Sequence, residues 1–274
     1  MGARATHKGE KEKRDMGKRL RIAGVAAVVF AAILPAASAA AAQYVDLGDS
    51  YASGVGTRTF YSESGSCKRS PEAYGPKVAA AKGYTLSFQA CSGAKTGDVI
   101  SKQLGTLSSS TALVSLSIGG NDAGFSNVII NCALYYFTCG SSITEANNYI
   151  AKSLPGVLDT TYNDIRAKAT TAHVVVLGYP HLFTASGTTC NANFLTSSNE
   201  KKLNETADKL AAVIKARAAA HGFTFVDPRS GWASHTVCAS EEWLNGQSNP
   251  LEESYHPNVK GHAQFTKELE AVLP

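Results

Sequence analysis

Tyr44-Val45-Asp46-Leu47-Gly48-Asp49-Ser50-Tyr51-Ala52-Ser53-Gly54 decides how this chain is read. Tyr44–Leu47 is a short, largely apolar run closed by a glycine, and a serine stands just beyond it. Such a run suits a strand buried on both faces, as in a parallel sheet. Four more read alike: Thr85–Ala90, Leu113–Ile118, His173–Leu177 and Phe223–Val226. Stretches of helical periodicity separate them. Ala73–Ala81 follows Pro71 and stops near Gly83. Thr144–Ala169 carries Ile150, Leu154, Leu158, Tyr162 and Ile165 at steps of three and four, with Pro155 expected to kink it. Ser198–His221 stops at Gly222, and Pro257–Val272 opens with a proline near its first turn. Alternating strands and helices predict an α/β fold, a three-layer α/β/α sandwich around a parallel five-stranded sheet. The loops Thr57–Ser70 and Thr184–Thr196 are polar and cysteine-bearing, and read as surface loops rather than linkers. One domain over residues 40–274 is expected.

Residues 1–39 stand apart. Lys8 to Arg21 is basic, Ile22 to Ala37 is apolar and small, and Ala37-Ser38-Ala39 fits a cleavage site. That is the pattern of a secretory signal peptide, with Met1 or Met16 as start and cleavage within Ala39–Ala42. Taking its eight Lys/Arg and three Asp/Glu from totals of 26 and 22 leaves 18 basic and 19 acidic residues, a net charge of −1. A near-neutral mature chain offers no basic footprint for nucleic acid. All six cysteines (Cys67, Cys91, Cys132, Cys139, Cys190 and Cys238) follow the leader. An even count after a signal peptide implies disulfides, with the pairing open at this point. No Cys-x-x-Cys or histidine spacing points to a metal.

In an open α/β sheet, reacting groups gather beyond the strands' carboxyl ends. Ser50 stands there, and Ser53 is its competitor within the same turn. A serine nucleophile needs a base and donors for the oxyanion it creates. Three later blocks offer them: Cys91-Ser92-Gly93-Ala94, Ile118-Gly119-Gly120-Asn121-Asp122 and Glu253-Ser254-Tyr255-His256-Pro257. Each follows an expected strand or precedes an expected helix. His173, His181, His221, His235 and His262 compete with His256 as base, and His181, just past the fourth strand, is the strongest rival.

Together the four blocks resemble the SGNH branch of the GDSL esterases and lipases, across essentially the whole mature chain. The chain is most similar to the secreted three-disulfide lipases and phospholipases of actinomycetes. That resemblance implies a flavodoxin-like SGNH-hydrolase sheet and a serine ester hydrolase acting on acyl lipids such as triacylglycerols. Phospholipase A1, short-chain esterase and carbohydrate acetylesterase are alternatives, and an extracellular binding module is the non-enzyme one. It further implies Ser50 as nucleophile, His256 as base, and Ser50, Gly93 and Asn121 as the oxyanion hole. Asp49 and Asp122 are expected to orient loops. The family's usual last block is Asp-x-x-His, where this chain has Glu253. Either the Ser254 carbonyl or Glu253 therefore orients His256. The implied disulfides are Cys67–Cys91, Cys132–Cys139 and Cys190–Cys238. No cofactor is implied, and a secreted monomer with transient lipid-interface contact is expected. The apolar loop between Cys132 and Cys139 reads first as packed, with an acyl-groove lining as the alternative. The base is expected to titrate near its ordinary value of about 6.5.

Overall fold

The computed structural model describes residues 41–184 and 195–274. Its sheet has five parallel strands in the order β2-β1-β3-β4-β5: β1 Gln43–Gly48, β2 Thr85–Phe88, β3 Thr111–Ser117, β4 His173–Leu177 and β5 Thr224–Val226. The expected architecture is the observed one. β1, β3 and β4 are buried along nearly their whole length, which is why their sequences run apolar instead of alternating.

Eight helices flank the sheet among the described residues: α1 Ser50–Ser53, α2 Tyr74–Lys82, α3 Thr96–Asp98, α4 Phe125–Leu134, α5 Cys139–Lys152, α6 Leu154–Lys168, α7 Ser197–Ala220 and α8 Val259–Glu270. α2 packs on α8, while α5 and α6 pack on α7. The expected kinked helix is two helices. Pro155 lies in the first turn of α6, where a missing N–H costs nothing, so the chain breaks at Ser153. α8 begins later than expected, because Asn258 caps it by accepting from the N–H groups of Lys260 and Gly261.

The strand order creates the site. From β1 the chain moves outward to β2, then returns across β1 to β3, so the connections from β1 and β3 diverge at their carboxyl ends. Gly48 is in register with Ser117 there, and the Asp49 N–H bonds the Ser117 carbonyl at 3.0 Å. The Gln103 amide clamps both backbone groups of Gly48, at 2.7 and 2.9 Å. A crevice at such a divergence is where open α/β sheets bind ligands.

Candidate active site

α1 presents the serine. Asp49 caps this helix, its Oδ1 accepting the Tyr51 N–H at 2.9 Å, and leaves Ser50 at the first helical position. A first-turn N–H has no partner within the helix, so that of Ser50 is available to a ligand. His256 Nε2 lies 2.7 Å from Ser50 Oγ, across 206 residues of sequence. Its Nδ1 lies 2.8 Å from the Ser254 carbonyl, which fixes the tautomer: Nδ1 carries the proton and Nε2 faces the serine. Burial pushes the imidazole down to about 4, with the Ser254 carbonyl acting in the opposite direction. The expectation of titration near 6.5 is corrected by this desolvation.

Glu253 is engaged elsewhere. Its carboxylate is 3.0 Å from Arg58 Nε. The Ser254 carbonyl reaches the ring because Tyr255 adopts φ +60°, unusual for a bulky residue. Neighbours hold that conformation from both sides. Tyr51 Oη donates to the Tyr255 carbonyl at 2.6 Å, and the Tyr255 N–H bonds the Asn245 carbonyl at 3.0 Å. The Asn245 N–H in turn bonds the His256 carbonyl at 2.9 Å. The Tyr51 ring also packs against His256. Gly56 passes so close that an added Cβ would lie 2.2 Å from the Pro257 carbonyl oxygen, so only glycine fits beneath the histidine turn.

Gly93 and Asn121 converge on the same spot. Gly93 has φ +78° and open space where a Cβ would project. Its neighbours are tied down, Ser92 N to the Cys67 carbonyl at 3.0 Å and Ala94 N to the Cys91 carbonyl at 3.1 Å. The Asn121 amide nitrogen donates to the Ala94 carbonyl at 3.0 Å, joining the two loops and leaving its second hydrogen. Asp122 accepts from the Thr96 N–H and hydroxyl. Asp49 Oδ2 takes the Tyr179 hydroxyl at 2.5 Å, and that hydroxyl accepts the Gly120 N–H at 3.1 Å. Both aspartates thus brace loops, and burial pushes the Asp49 carboxyl up to about 7.

The rivals lie elsewhere. His181 bonds Asp208 at 2.7 Å, His221 bonds Asp159 at 2.9 Å beyond the end of α7, and His235 stacks on Trp243. His173 meets the Val272 carbonyl, and buried His262 takes the Tyr74 N–H. Ser53, the last residue of α1, is fully buried.

A groove of about 230 Å³ opens over Ser50 and His256, walled by Phe125, Ile129, Ile130, Ala133 and Leu134 of α4, with Leu251 opposite. Apolar residues recur at steps of three and four along α4, which is not among the helices expected from the sequence. The reading of the Cys132–Cys139 loop as packed is also corrected. Leu134 lines the groove, while Tyr135 is 59% and Phe137 95% exposed. The Cys132–Cys139 disulfide closes this loop. Cys67 and Cys91 are bonded as well. Cys238 is disulfide-bonded, and Cys190 lies outside the described residues.

The family model described as GDSL-like Lipase/Acylhydrolase matches residues 47–264. The chain belongs to this family. Among its relatives, Lipase 1 of Streptomyces coelicolor is 48% identical over 248 residues, 89% of this chain and 91% of that one. The crystal structure of an extracellular lipase from Streptomyces rimosus superposes with a TM-score of 0.81 at 43% identity, over 85% of this chain and all of that one. That of phospholipase A1 from Streptomyces albidoflavus NA297 gives 0.82 at 42%, with the same coverage.

Proposed function

We propose that the chain is a secreted lipase that cleaves acyl esters of lipids, such as triacylglycerols, through an acyl-enzyme on Ser50. The observation carrying this reading is the 2.7 Å contact between His256 Nε2 and Ser50 Oγ at the mouth of an apolar groove. In it, His256 Nε2 takes the serine proton as Oγ attacks the ester carbonyl, and returns it to the departing alcohol. The Ser254 carbonyl accepts the Nδ1 proton throughout, making Ser50 and His256 a dyad with Glu253 outside the relay. The N–H groups of Ser50 and Gly93 and the Asn121 amide take up the oxyanion's charge. Water then repeats the sequence on the acyl-enzyme. The acyl chain lies along α4. Tyr135, Phe137 and Leu251 sit exposed on segments bordering the groove and supply transient contact with a lipid surface.

Residues 1–39 act in this reading as a signal peptide, and 40–274 as one hydrolase domain working as a monomer. Secretion is supported by the likeness to an extracellular lipase and by the disulfides. Phospholipase A1 activity is the second reading, favoured by the likeness to the Streptomyces albidoflavus enzyme. Reaction with a fluorophosphonate tests the mechanism. One adduct on Ser50, and loss of both adduct and ester hydrolysis in a folded Ser50→Ala variant, are expected. An adduct on any other serine overturns the assignment.

A further inference from the structure

The loop carrying Gly93 has two sides. One faces the apolar groove. The other faces a second cavity of about 340 Å³, into which Arg69, Gln89, Asp98 and Lys102 project and which shares Ser92 and Gly93 with the groove. The two cavities adjoin at Ser92 and Gly93, so an ester held there with its acyl chain along α4 has this polar cavity within reach of its alcohol part.

Arg69 is the unusual group there. Its cationic neighbours are matched, Lys68 with Glu252, Arg58 with Glu253 and Lys102 with Asp98. Arg69, half-buried, has no carboxylate partner among the described residues, and its guanidinium reaches only the Ala90 carbonyl, at 3.5 Å. Most of its five donors are therefore uncommitted. The Asp98 carboxylate is taken up by Lys102 Nζ at 2.8 Å and the Lys95 N–H at 3.0 Å, which leaves the cavity one net positive charge. The backbone beneath Arg69 is anchored twice. Cys67 is bonded to Cys91, and the Ser70 N–H bonds the Ser53 carbonyl at 2.8 Å. The backbone that carries Arg69 is thus held at a fixed offset from both the oxyanion loop and the nucleophile helix.

Resting on the proposed ester hydrolysis, we infer that this cavity is the alcohol-side subsite and that Arg69 binds a phosphate monoanion carried by the alcohol, as in a glycerophospholipid. A planar guanidinium matches phosphate oxygens two at a time, which an ammonium does not.

The test compares dioleoyl phosphatidylglycerol with dioleoylglycerol, which differ only in the head group, in neutral detergent micelles. The readout is the ratio of their kcat/KM values for wild type, Arg69→Gln and Arg69→Lys. Arg69→Gln is expected to lower the phospholipid-to-diacylglycerol ratio at least about tenfold, the scale of one charge-assisted hydrogen bond. Arg69→Lys should recover part of it, and also serves if the glutamine variant folds poorly. A ratio within twofold of wild type in both variants overturns the inference. Inorganic phosphate at constant ionic strength distinguishes the source. Inhibition of diacylglycerol hydrolysis in wild type but not in Arg69→Gln marks a site open to free phosphate. Absence of inhibition beside a lowered ratio confines it to lipid-borne phosphate. Fluorophosphonate labelling keeps the two readings apart: an unlabelled wild type defeats the hydrolase proposal, whereas a labelled one with an invariant ratio defeats only the phosphate subsite.

Discussion

Tyr51→Phe removes one oxygen atom 2.6 Å from the Tyr255 carbonyl and leaves the ring on His256 in place. Tyr255 is nearly buried, so its carbonyl loses a partner that water cannot readily replace. Leaving such a group unsatisfied costs about 1–3 kcal/mol, which for a domain of this size lowers Tm by roughly 2–12 °C. A second effect falls on catalysis. Tyr255 holds φ +60°, a conformation costing about 1–3 kcal/mol that persists only while its surroundings enforce it. Without the tyrosine hydroxyl the turn relaxes, and the Ser254 carbonyl swings away from Nδ1. A hydrogen bond to the forming imidazolium contributes about 1.5–3 kcal/mol, or roughly 10- to 150-fold in kcat. KM should stay within about threefold, because the α4 wall of the groove is unchanged. Steady-state kinetics on a soluble ester and a thermal melt measure both effects. Tyr255→Asn, which tolerates the left-handed region, should retain far more activity than Tyr255→Val, which does not. A Tyr51→Phe variant with a lowered Tm but kcat within twofold of wild type would refute the reasoning and reduce the hydroxyl to a structural tie.

Four other outcomes are expected. Glu253→Gln should cost less than about tenfold in kcat, since the Arg58 pair and not the imidazole occupies its carboxylate; a loss near the roughly 10⁴-fold of a triad Asp→Asn change would restore Glu253 to the relay. The acid limb of kcat/KM should fall near pH 4, and a limb near 6.5 would show that His256 is solvated. Stability follows the same shift: below about pH 6.5 the unfolded chain binds a proton that folded His256 refuses, so this contribution is complete above that pH and lost as pH falls through about 4. Replacing both Cys67 and Cys91 by serine should cost about 3 kcal/mol of stability for a bridge spanning 24 residues, with kcat falling because the Gly93 loop loses its anchor; an unchanged melt and kcat would contradict this.

The frame of this molecule could be read from its sequence because strands buried on both faces leave continuous apolar runs. Val174–Leu177 could hardly be anything else. Ser50, Gly93, Asn121 and His256 were legible as blocks tied to strand ends and helix starts. Their supports were not. Tyr51 and Tyr179 look like ordinary core aromatics, and only the fold shows that their hydroxyls reach Tyr255 and Asp49. Asn245 bonds the histidine turn through its backbone and its side-chain amide, which donates to the Gly56 carbonyl at 2.8 Å, and composition reveals neither. The groove wall is a different case, because the periodicity of Phe125–Leu134 was available in the sequence. Its lack of a strong cap helped to hide it, since Gly124 precedes α4 without a side-chain cap. Arg69 carried no signal at all, as its significance lies in the carboxylates that are paired with other cations.

The contact between Ser50 and His256 closes a loop of 206 residues. On the ribosome that separation becomes an interval of time. When the turn after β1 has emerged, the serine exists; when the turn after β3 has emerged, so do the donors proposed for its oxyanion. Even with all five strands exposed, the serine still has no imidazole beside it. In the proposed mechanism, hydrolytic competence arrives after the sheet is complete, with the segment between β5 and α8. A chain interrupted between β5 and His256 has all five strands but lacks the base that the proposed mechanism gives its serine.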